Sequence, residues 1–368
     1  MSPTFNAPRP PSPGPVTWTD PHRESLFKTW LDGLAADHQL DPSSLRLASA
    51  DASFRRYLRV DRVSPAGGTS LIIMDAPPAQ ENCQPFVQVA ALMAQAGLRV
   101  PEVLARDEAN GFLLLTDLGA STMMQAIDPQ QPPPLGLYLD AVDTLVQWQL
   151  ASREGVLPVY DHAFLMRELA LFPQWYVGEY RQFPLDDAQR KVLEDAFSRI
   201  AANNLSWPSV YVHSDFMPRN LVVSDLAAVS GQRLGVLDFQ DAVYGPITYD
   251  IASLMRDAFL TWDEDFCLDV TIRYWEKARK AGLPVGSDFG EFYRGVEWMG
   301  LQRHLRIAGI FARLTLRDGK PQYLADTPRF IGYMRATCSR YMELKPLLRL
   351  IERVEGIPVP TAYSFGRM

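Results

Sequence analysis

Two segments determine the fold: Val210-Tyr-Val-His-Ser-Asp-Phe-Met-Pro-Arg-Asn220-Leu-Val-Val223 and Leu234-Gly-Val-Leu-Asp-Phe-Gln-Asp241. The apolar runs at the two ends of the first segment are short and β-branched, which indicates strands on either side of a polar loop. The second segment begins with another apolar run, which indicates a strand that ends at Asp238. The loop presents His213, Asp215 and Asn220.

Phosphoryl transfer requires the kinds of side chain that these segments supply. One carboxylate orients the acceptor hydroxyl and takes its proton, and hard oxygen ligands hold Mg²⁺ against the phosphates. Asp215 suits the first role, and Asn220 and Asp238 suit the second. The spacing Asp-x-x-x-x-Asn, with an Asp at the next strand end, resembles the catalytic and metal-binding segments of kinases. The alternative is a chance turn, which the flanking strands and the placed second Asp make much rarer.

The same segments resemble a known family. His213-Ser-Asp-Phe-Met-Pro-Arg-Asn220, Asp238-Phe-Gln-Asp241 and Gly245-Pro-Ile-Thr-Tyr-Asp250-Ile-Ala are similar to motifs of the aminoglycoside phosphotransferase and choline kinase family. The resemblance implies an α+β, bilobal, protein-kinase-like fold with a small N-terminal antiparallel sheet lobe and a larger, mainly helical C-terminal lobe. It also implies ATP and Mg²⁺ as cofactors. Ser214 stands where the family loop usually has Gly, and the H-R-D, D-F-G and A-P-E segments of protein kinases are absent.

Two residues near the predicted base are interpreted as structural. The resemblance implies that Asp250 accepts hydrogen bonds from the backbone of the loop. The alternative for Asp250 is a favourable charge at a helix N-terminus, which needs no function. His213 is predicted to hold the loop through ring hydrogen bonds, since Asp215 already supplies the base.

Length and composition favour a soluble globular protein with two lobes. The predicted division is a flexible Pro-rich tail at residues 1–18, a nucleotide-binding lobe at 19–117 and a catalytic and acceptor-binding lobe at 118–368. The absence of an 18-residue apolar run predicts that the protein neither spans nor binds a membrane. Three scattered cysteines are too few for a disulfide framework or a zinc site and fit a reducing cytoplasm. We also expect a monomer.

Charge is unevenly distributed along the chain. From Val270 onward there are 17 Lys and Arg against 9 Asp and Glu, whereas the rest of the chain has 19 against 34. A basic C-terminal third favours an anionic acceptor on that side. A solvated helical face is an equally simple explanation. Nucleic acid is not an expected partner, because the aromatic and basic interleaving of a known nucleic-acid module is absent.

A turn of small residues precedes a run of arginines in the predicted sheet. In a kinase-like lobe this turn covers the phosphates, but here it contains no glycine. The side chains predicted to bind the phosphates of ATP here come from the turn and the strand after it, namely Ser49, Asp51, Ser53, Arg55, Arg56 and, as a further candidate, Arg59. An ordinary hairpin with exposed arginines is the alternative.

The ion pair that kinase-like lobes use to hold ATP phosphates is absent from the sequence. Met74 occupies the expected lysine position, and the helix that follows has no Glu in its body, because Glu81 only precedes it. The arginines and the metal must then meet the phosphate charge. Which cation replaces the lysine is left open by the sequence.

The segment Leu114-Leu-Thr-Asp-Leu-Gly119 is implied by the resemblance to be the hinge between the lobes. In the family, main-chain groups of this hinge bind adenine. Thr116 and Leu118 are therefore the predicted adenine partners.

Residues predicted to contact the acceptor are scattered through the second lobe. Aromatic rings stack on sugars, so Trp175 is a candidate, although a core position fits its apolar spacing better. A strongly apolar helix carries several cations, some of which should face a cleft or a partner. The predicted acceptor residues, besides Trp175, are Arg219, Asp241, Arg303, His304 and Arg306.

Longer segments resemble one branch of the family. Ser49–Arg59, Met74-Asp-Ala-Pro-Pro and Gln302–Arg313 are similar to bacterial kinases of cell-wall recycling that phosphorylate the anomeric hydroxyl of N-acetylmuramate and N-acetylglucosamine. The resemblance implies an amino sugar as the small-molecule acceptor and an α-1-phosphate, a precursor of UDP-sugars, as the product. Two alternatives remain open: a kinase for another small molecule, such as an aminoglycoside or choline, and a nucleotide-binding pseudokinase.

Overall fold

The computed structural model describes residues 16–50, 54–63, 69–128, 130–223 and 234–358, and they form two compact units. Unit 1 contains the described chain up to Ala151 together with Met217–Ala242. Unit 2 contains Ser152–Phe216 and the described chain from Val243 onward. The chain passes between the units three times, whereas the predicted division has a single lobe boundary after residue 117.

The first helix, α1 (Pro21–His38), begins directly after Asp20. The carboxylate of Asp20 caps it by accepting a hydrogen bond from His22 N at 2.9 Å. Pro21 occupies the first turn, where its missing N–H has no helical partner to lose. The helix buries Phe27 and Leu31 in the core of unit 1.

Unit 1 is built on a five-stranded antiparallel sheet with the order β1-β2-β3-β5-β4. Its strands are β1 (Leu40–Ala50), β2 (Arg56–Arg62), β3 (Ser70–Asp75), β4 (Val103–Asp107) and β5 (Phe112–Thr116), and helix α2 (Gln84–Gln95) connects β3 to β4. Along β2 the buried residues Leu58 and Val60 alternate with less buried neighbours, as expected for a strand with one face on a core. The predicted small antiparallel sheet is confirmed.

The remaining elements follow in chain order. They are α3 (Met123–Ala126), α4 (Leu135–Leu150), α5 (His162–Leu169), a π-helix (Phe172–Tyr180), α6 (Asp187–Leu205), β6 (Ser209–Val212), a 3₁₀ turn (Pro218–Asn220), β7 (Leu221–Val222), β8 (Gly235–Val236), β9 (Val243–Pro246), α7 (Thr248–Met255), α8 (Glu264–Lys280), α9 (Phe289–Leu316), a 3₁₀ turn (Pro321–Asp326), α10 (Thr327–Arg340), a 3₁₀ turn (Met342–Leu344) and α11 (Lys345–Val354).

Backbone hydrogen bonds explain why residues 217–242 belong to unit 1. Strands β7 and β8 pair with each other, and both also bond to earlier segments of the same unit. Val236 N donates to Arg99 O at 2.8 Å, and Val223 N donates to Ser121 O at 2.9 Å. These bonds depend on tertiary pairing, which no local pattern in the sequence reveals.

Unit 2 is mainly helical and contains one short antiparallel pair, β6 with β9. The long helix α9 packs against the π-helix, α7 and α10. Helix α9 packs closely against the start of the π-helix, since a Cβ at Gly309 would lie 2.5 Å from the carbonyl carbon of Leu171. Pro173 lies in the first turn of the π-helix.

The predicted α+β class is confirmed by these elements. A sheet dominates the first part of the chain, and helices dominate the second. Within the described ranges, no helix combines the length and the apolar character needed to cross a membrane.

Candidate active site

The loop between β6 and β7 carries the predicted base. Strand β6 is buried at Val210, Tyr211 and Val212 and pairs along its whole length with β9, which fixes the point where the loop begins. Pro218 then starts the 3₁₀ turn that ends at Asn220. The loop is therefore anchored by a buried strand at one end and a helical turn at the other.

Ser214 has a left-handed backbone, with φ at +80°. Glycine adopts this region freely, whereas a residue with a Cβ does so at a cost. The conformation explains why glycine is usual at this place in the family that the loop resembles. Ser214 is therefore a strained position whose neighbours must hold it.

Asp250 is a buried carboxylate that binds the loop backbone. It lies in the first turn of α7 and accepts hydrogen bonds from His213 N at 2.7 Å and Ser214 N at 3.1 Å. Burial raises the pKa of Asp250 to about 6, against the opposing effect of His213, Arg303 and the two N–H donors. The contacts are those that the resemblance implied for this residue.

His213 supports the loop from within. Its Nδ1 accepts a hydrogen bond from Asp215 N at 3.3 Å, and its ring lies against Phe216 with centroids 5.8 Å apart. The residue is 1% exposed. These contacts are consistent with the structural role that we predicted for it.

Asp215 lies beside two guanidinium groups of α9. Its Oδ1 is 3.6 Å from Arg303 Nη2 and 4.0 Å from Arg306 Nη1. The carboxylate side chain is 34% exposed, whereas that of Arg303 is 2% exposed. Asp215 is thus a partly exposed carboxylate beside the buried guanidinium of Arg303.

Arg306 is held mainly by a second carboxylate, Glu168. Its Nε is 2.8 Å from Glu168 Oε1, and its Nη1 donates to the Tyr249 hydroxyl at 3.3 Å. Glu168 also accepts hydrogen bonds from Tyr160 at 2.6 Å and Gln302 at 2.7 Å. Burial lowers the pKa of Arg306, but the negative charge around it prevails and the pKa is raised. The sequence did not single out the role of Glu168 as this anchor.

The predicted metal ligands lie together in unit 1. The amide nitrogen of Asn220 donates to Asp238 Oδ2 at 3.3 Å, and Gln240 donates to Asp238 Oδ1 at 2.9 Å. Asp238 lies two residues after the end of β8. Its backbone is left-handed, with φ at +61°. Within the described part of the chain, no group of three His, Cys, Asp or Glu side chains is placed to bind a metal.

Comparison with known proteins identifies the family. The phosphotransferase enzyme family matches residues 44–286, which is about two thirds of the chain. The N-acetylmuramate/N-acetylglucosamine kinase of Neisseria meningitidis serogroup B is 45% identical over 346 residues, which cover 93% of this chain and 99% of that relative. The chain belongs to the phosphotransferase enzyme family. It is therefore an enzyme that transfers a phosphoryl group to a hydroxyl.

Solved structures confirm the fold of this phosphotransferase. Plasmodium vivax ethanolamine kinase aligns with a TM-score of 0.58 at 11% identity, covering 86% of this chain and 88% of that one. The streptomycin–ATP–APH(2")-IIa ternary complex aligns with a TM-score of 0.52 at 15% identity, covering 82% and 97%. The predicted protein-kinase-like fold is confirmed.

The predicted phosphate-binding arginines of the phosphotransferase are each engaged by a carboxylate. Arg55 Nη2 is 2.9 Å from Glu81 Oε2, and Arg56 Nε is 2.6 Å from Asp75 Oδ2. Arg59 binds Asp117 in the same way, at 2.6 Å. These carboxylate partners were not singled out by sequence, because strand pairing and side-chain direction bring them together.

Three other side chains, those of Ser49, Asp51 and Ser53, are predicted to bind the phosphates. Ser49 lies near the end of β1, opposite Tyr57. Asp51 and Ser53 lie outside the described residues.

The two predicted hinge residues use part of their backbone within the protein. Thr116 N donates to Glu102 O at 3.0 Å, and Leu118 O accepts a hydrogen bond from Arg99 at 2.5 Å. An adenine ring would therefore need other donors or acceptors of this segment.

Three of the predicted acceptor residues are divided between the two units. Arg219 lies half-buried in the 3₁₀ turn of unit 1, and Asp241 is exposed in the same unit. Trp175 lies half-buried in the π-helix of unit 2. For these three residues, contact with the acceptor stays a prediction.

The expectation that His304 faces the acceptor is corrected by the structure. His304 is 1% exposed. Its ring stacks on Tyr333 with centroids 4.7 Å apart, and its Nε2 donates to Arg256 O at 3.0 Å. The apolar character of α9 places this residue in the helical core, and its chemical type alone gave no sign of that.

The burial of His304 predicts a pH-dependent stability. Burial lowers the pKa of His304 from 6.5 to about 3, helped by the nearby cations Arg256 and Arg303. Between these values the unfolded chain binds a proton that the folded chain does not, so the free energy of unfolding falls as pH drops below 6.5. At pH 5 the loss is on the order of 2 kcal/mol.

A matched variant separates this effect from that of Asp250, whose raised pKa acts in the opposite direction between pH 3.8 and about 6. His304→Gln keeps a side-chain donor but cannot titrate. Urea unfolding from pH 7.5 to 5 should show a smaller loss of stability in His304→Gln than in the wild type. Parallel pH profiles for the two proteins would show that His304 is not the titrating group.

Proposed function

We propose that this phosphotransferase is an ATP-dependent sugar kinase that phosphorylates the anomeric C1 hydroxyl of N-acetylmuramate and N-acetylglucosamine. The product is the α-1-phosphate, which serves cell-wall recycling toward UDP-sugar synthesis. The observation that carries the proposal is the 45% identity, across 93% of the chain, to a relative named as a kinase of these two sugars. The presence of a candidate base, Asp215, and of two candidate metal ligands, Asn220 and Asp238, supports it.

The reaction is an in-line displacement at the γ-phosphorus of ATP. The anomeric oxygen forms a bond to phosphorus as the bond to the β,γ-bridging oxygen breaks, and ADP leaves. The carboxylate of Asp215 orients the hydroxyl and accepts its proton. A solvent-accessible carboxylate near the guanidinium groups of the buried Arg303 and the half-buried Arg306 suits this role.

The chemistry of Asn220 and Asp238 fits Mg²⁺. Ligands at adjacent positions of an octahedral Mg²⁺ lie about 3 Å apart, given metal–oxygen distances of about 2.1 Å. The Asn220 amide and the Asp238 carboxylate are 3.3 Å apart, and a half-turn of the amide presents its oxygen. When bound, Mg²⁺ neutralises charge on the phosphates. A set with one carboxylate and one amide matches a metal that keeps several waters.

The proposed acceptors are an anionic sugar, N-acetylmuramate, and a neutral one, N-acetylglucosamine, rather than cations. N-acetylmuramate carries a lactyl carboxylate, which suits arginine, whereas aminoglycosides are polycations that favour an acidic site. The basic C-terminal third of the chain favours the first class of acceptor. Arg303 and Arg306 bind carboxylates of the protein, and contact of Arg219 with the acceptor stays a prediction.

We place this activity in the cytoplasm. The three cysteines are buried and none forms a disulfide, which fits a reducing compartment. The cytoplasm also supplies the ATP that the reaction consumes.

The proposal is tested by ADP release from Mg-ATP with a panel of acceptors. The panel contains N-acetylmuramate, N-acetylglucosamine, kanamycin, choline and no acceptor. We expect turnover with the two N-acetyl sugars and a background rate with the others. Turnover with only a cationic acceptor would replace the proposal with that kinase class, and ATP binding without any turnover would favour a pseudokinase.

A further inference from the structure

The strained residue before the base needs an external support. Ser214 adopts φ at +80° although it carries a Cβ, which makes the conformation costly. The carboxylate of Asp250 accepts hydrogen bonds from the backbone N–H groups of His213 and Ser214. A second contact is needed to fix the carbonyl of Ser214, because that carbonyl leads directly to Asp215.

Arg303 supplies that contact. Its Nη1 donates to Ser214 O at 2.5 Å, and its Nη2 lies 3.6 Å from Asp215 Oδ1. The guanidinium lies over the ring of Tyr249, 4.9 Å from its centroid. One planar group thus contacts both the carbonyl of the strained residue and the carboxylate of the base.

The burial of Arg303 argues against a role in binding the acceptor. The residue is 1% exposed. In the described part of the chain, Asp215 is the one carboxylate within 4 Å of its guanidinium, whereas Arg306 is neutralised by Glu168 at 2.8 Å. A buried guanidinium with its charge balanced by the base would leave that charge unbalanced if it moved to a substrate.

The distance to the carboxylate is also informative. At 3.6 Å, the ion pair is longer than a direct hydrogen bond. Arg303 therefore stabilises the charge of Asp215 without donating a proton to the oxygen that must accept one. Its direct hydrogen bond goes to the backbone instead.

We propose that Arg303 is a positioning residue for the base. It holds the carbonyl of Ser214 in the left-handed turn and thereby directs the carboxylate of Asp215 at the acceptor hydroxyl. The inference rests on the proposed function insofar as Asp215 is the base of that reaction. It replaces the sequence-based interpretation of Arg303 as a ligand of the acceptor.

The first test is Arg303→Met, compared with Arg313→Met, which removes the same charge from the same helix. Misplacement of the base should lower kcat by about 100-fold, while KM for ATP and for the sugar stays within about threefold. The loss should be equal for N-acetylmuramate and N-acetylglucosamine, because a positioning role does not depend on the lactyl carboxylate. Arg303→Lys, which keeps a donor and the charge, should lose less.

The second test asks whether relief of strain restores activity. Ser214→Gly removes the cost of the left-handed turn, so Arg303→Met combined with Ser214→Gly should recover about tenfold in kcat relative to Arg303→Met alone. Ser214→Gly in the wild type should change kcat far less. If Arg303→Met does not fold, the same comparison is made with Arg303→Lys.

Two results would overturn the inference. One is an increase in KM for N-acetylmuramate alone with kcat unchanged, which would make Arg303 an acceptor ligand. The other is an equal effect of Ser214→Gly with and without Arg303. If the wild type phosphorylates neither sugar, the proposed function fails, and thermal unfolding still decides the inference. Ser214→Gly should then raise the midpoint by about 2 °C more in the Arg303→Met background than in the wild type.

Discussion

Asp215→Asn should lower kcat for sugar phosphorylation by about 1,000-fold and leave the affinity for ATP within about twofold. The amide keeps the size of the side chain but cannot accept the proton of the acceptor hydroxyl as a carboxylate does. The contact that supports the loop through Asp215 is made by its backbone N–H with the ring of His213, and the substitution does not remove it. The substitution also removes the one described carboxylate within 4 Å of the buried Arg303 guanidinium, so some stability should be lost, and thermal unfolding should show that the variant is still folded at the assay temperature.

Steady-state ADP release gives kcat, and calorimetric titration with a non-hydrolysable ATP analogue gives affinity. Asp195→Asn is the matched control, because Asp195 lies on an exposed turn of α6 in the same unit and pairs with Lys191 at the surface. Turnover in Asp215→Asn equal to that of Asp195→Asn would remove Asp215 from the mechanism.

Asp238→Asn should have the second largest effect, through the metal. Loss of the one carboxylate in the pair with Asn220 weakens Mg²⁺ binding. We expect the Mg²⁺ concentration for half-maximal rate to rise by at least about tenfold, and kcat at saturating ATP to fall by about 100-fold. Part of the kcat loss should be recovered at high Mg²⁺ concentration.

A Mg²⁺ titration of the rate measures this effect. Asp32→Asn serves as the control, since Asp32 is an exposed residue of α1 in the same unit. A normal Mg²⁺ titration with Asp238→Asn would count against the ligand role and would remove Asp238 from the proposed metal site.

The parts of the fold and site that the sequence predicted are those set by local pattern. The short β-branched runs on either side of the loop depend on neighbours in sequence, and they form β6 and β7. The spacing from Asp215 to Asn220 is likewise local. Short stretches of the chain are therefore enough to predict these features.

The parts that the sequence did not predict depend on tertiary contacts. Arg303 lies 88 positions beyond Asp215 in the chain, so its hydrogen bond to Ser214 O cannot be seen from spacing. The same is true of Glu168, which anchors Arg306. The sequence did show that α9 is unusually cationic for an apolar helix, and the structure places Arg303 and Arg306 near Asp215 and His304 against Tyr333.

His304 illustrates the limit of residue type as a guide. Histidine on a cationic helix suggested an acceptor contact, but helical position decides burial, and this ring stacks on Tyr333 within the core. The division of the chain into two units also depends on tertiary contacts. Residues 217–242 join unit 1 through backbone bonds such as Val236 N to Arg99 O, which a linear division of the chain cannot represent.

Anomeric phosphorylation is tested by determining which hydroxyl of the sugar carries the new phosphate. Wild-type enzyme would be incubated with Mg-ATP and N-acetylglucosamine, and the product would be examined by phosphorus and proton NMR. The proposed function predicts an α-1-phosphate, in which the anomeric proton couples to phosphorus and the phosphate is lost in warm dilute acid. An acid-stable product with an uncoupled anomeric proton, as in a 6-phosphate, would contradict it.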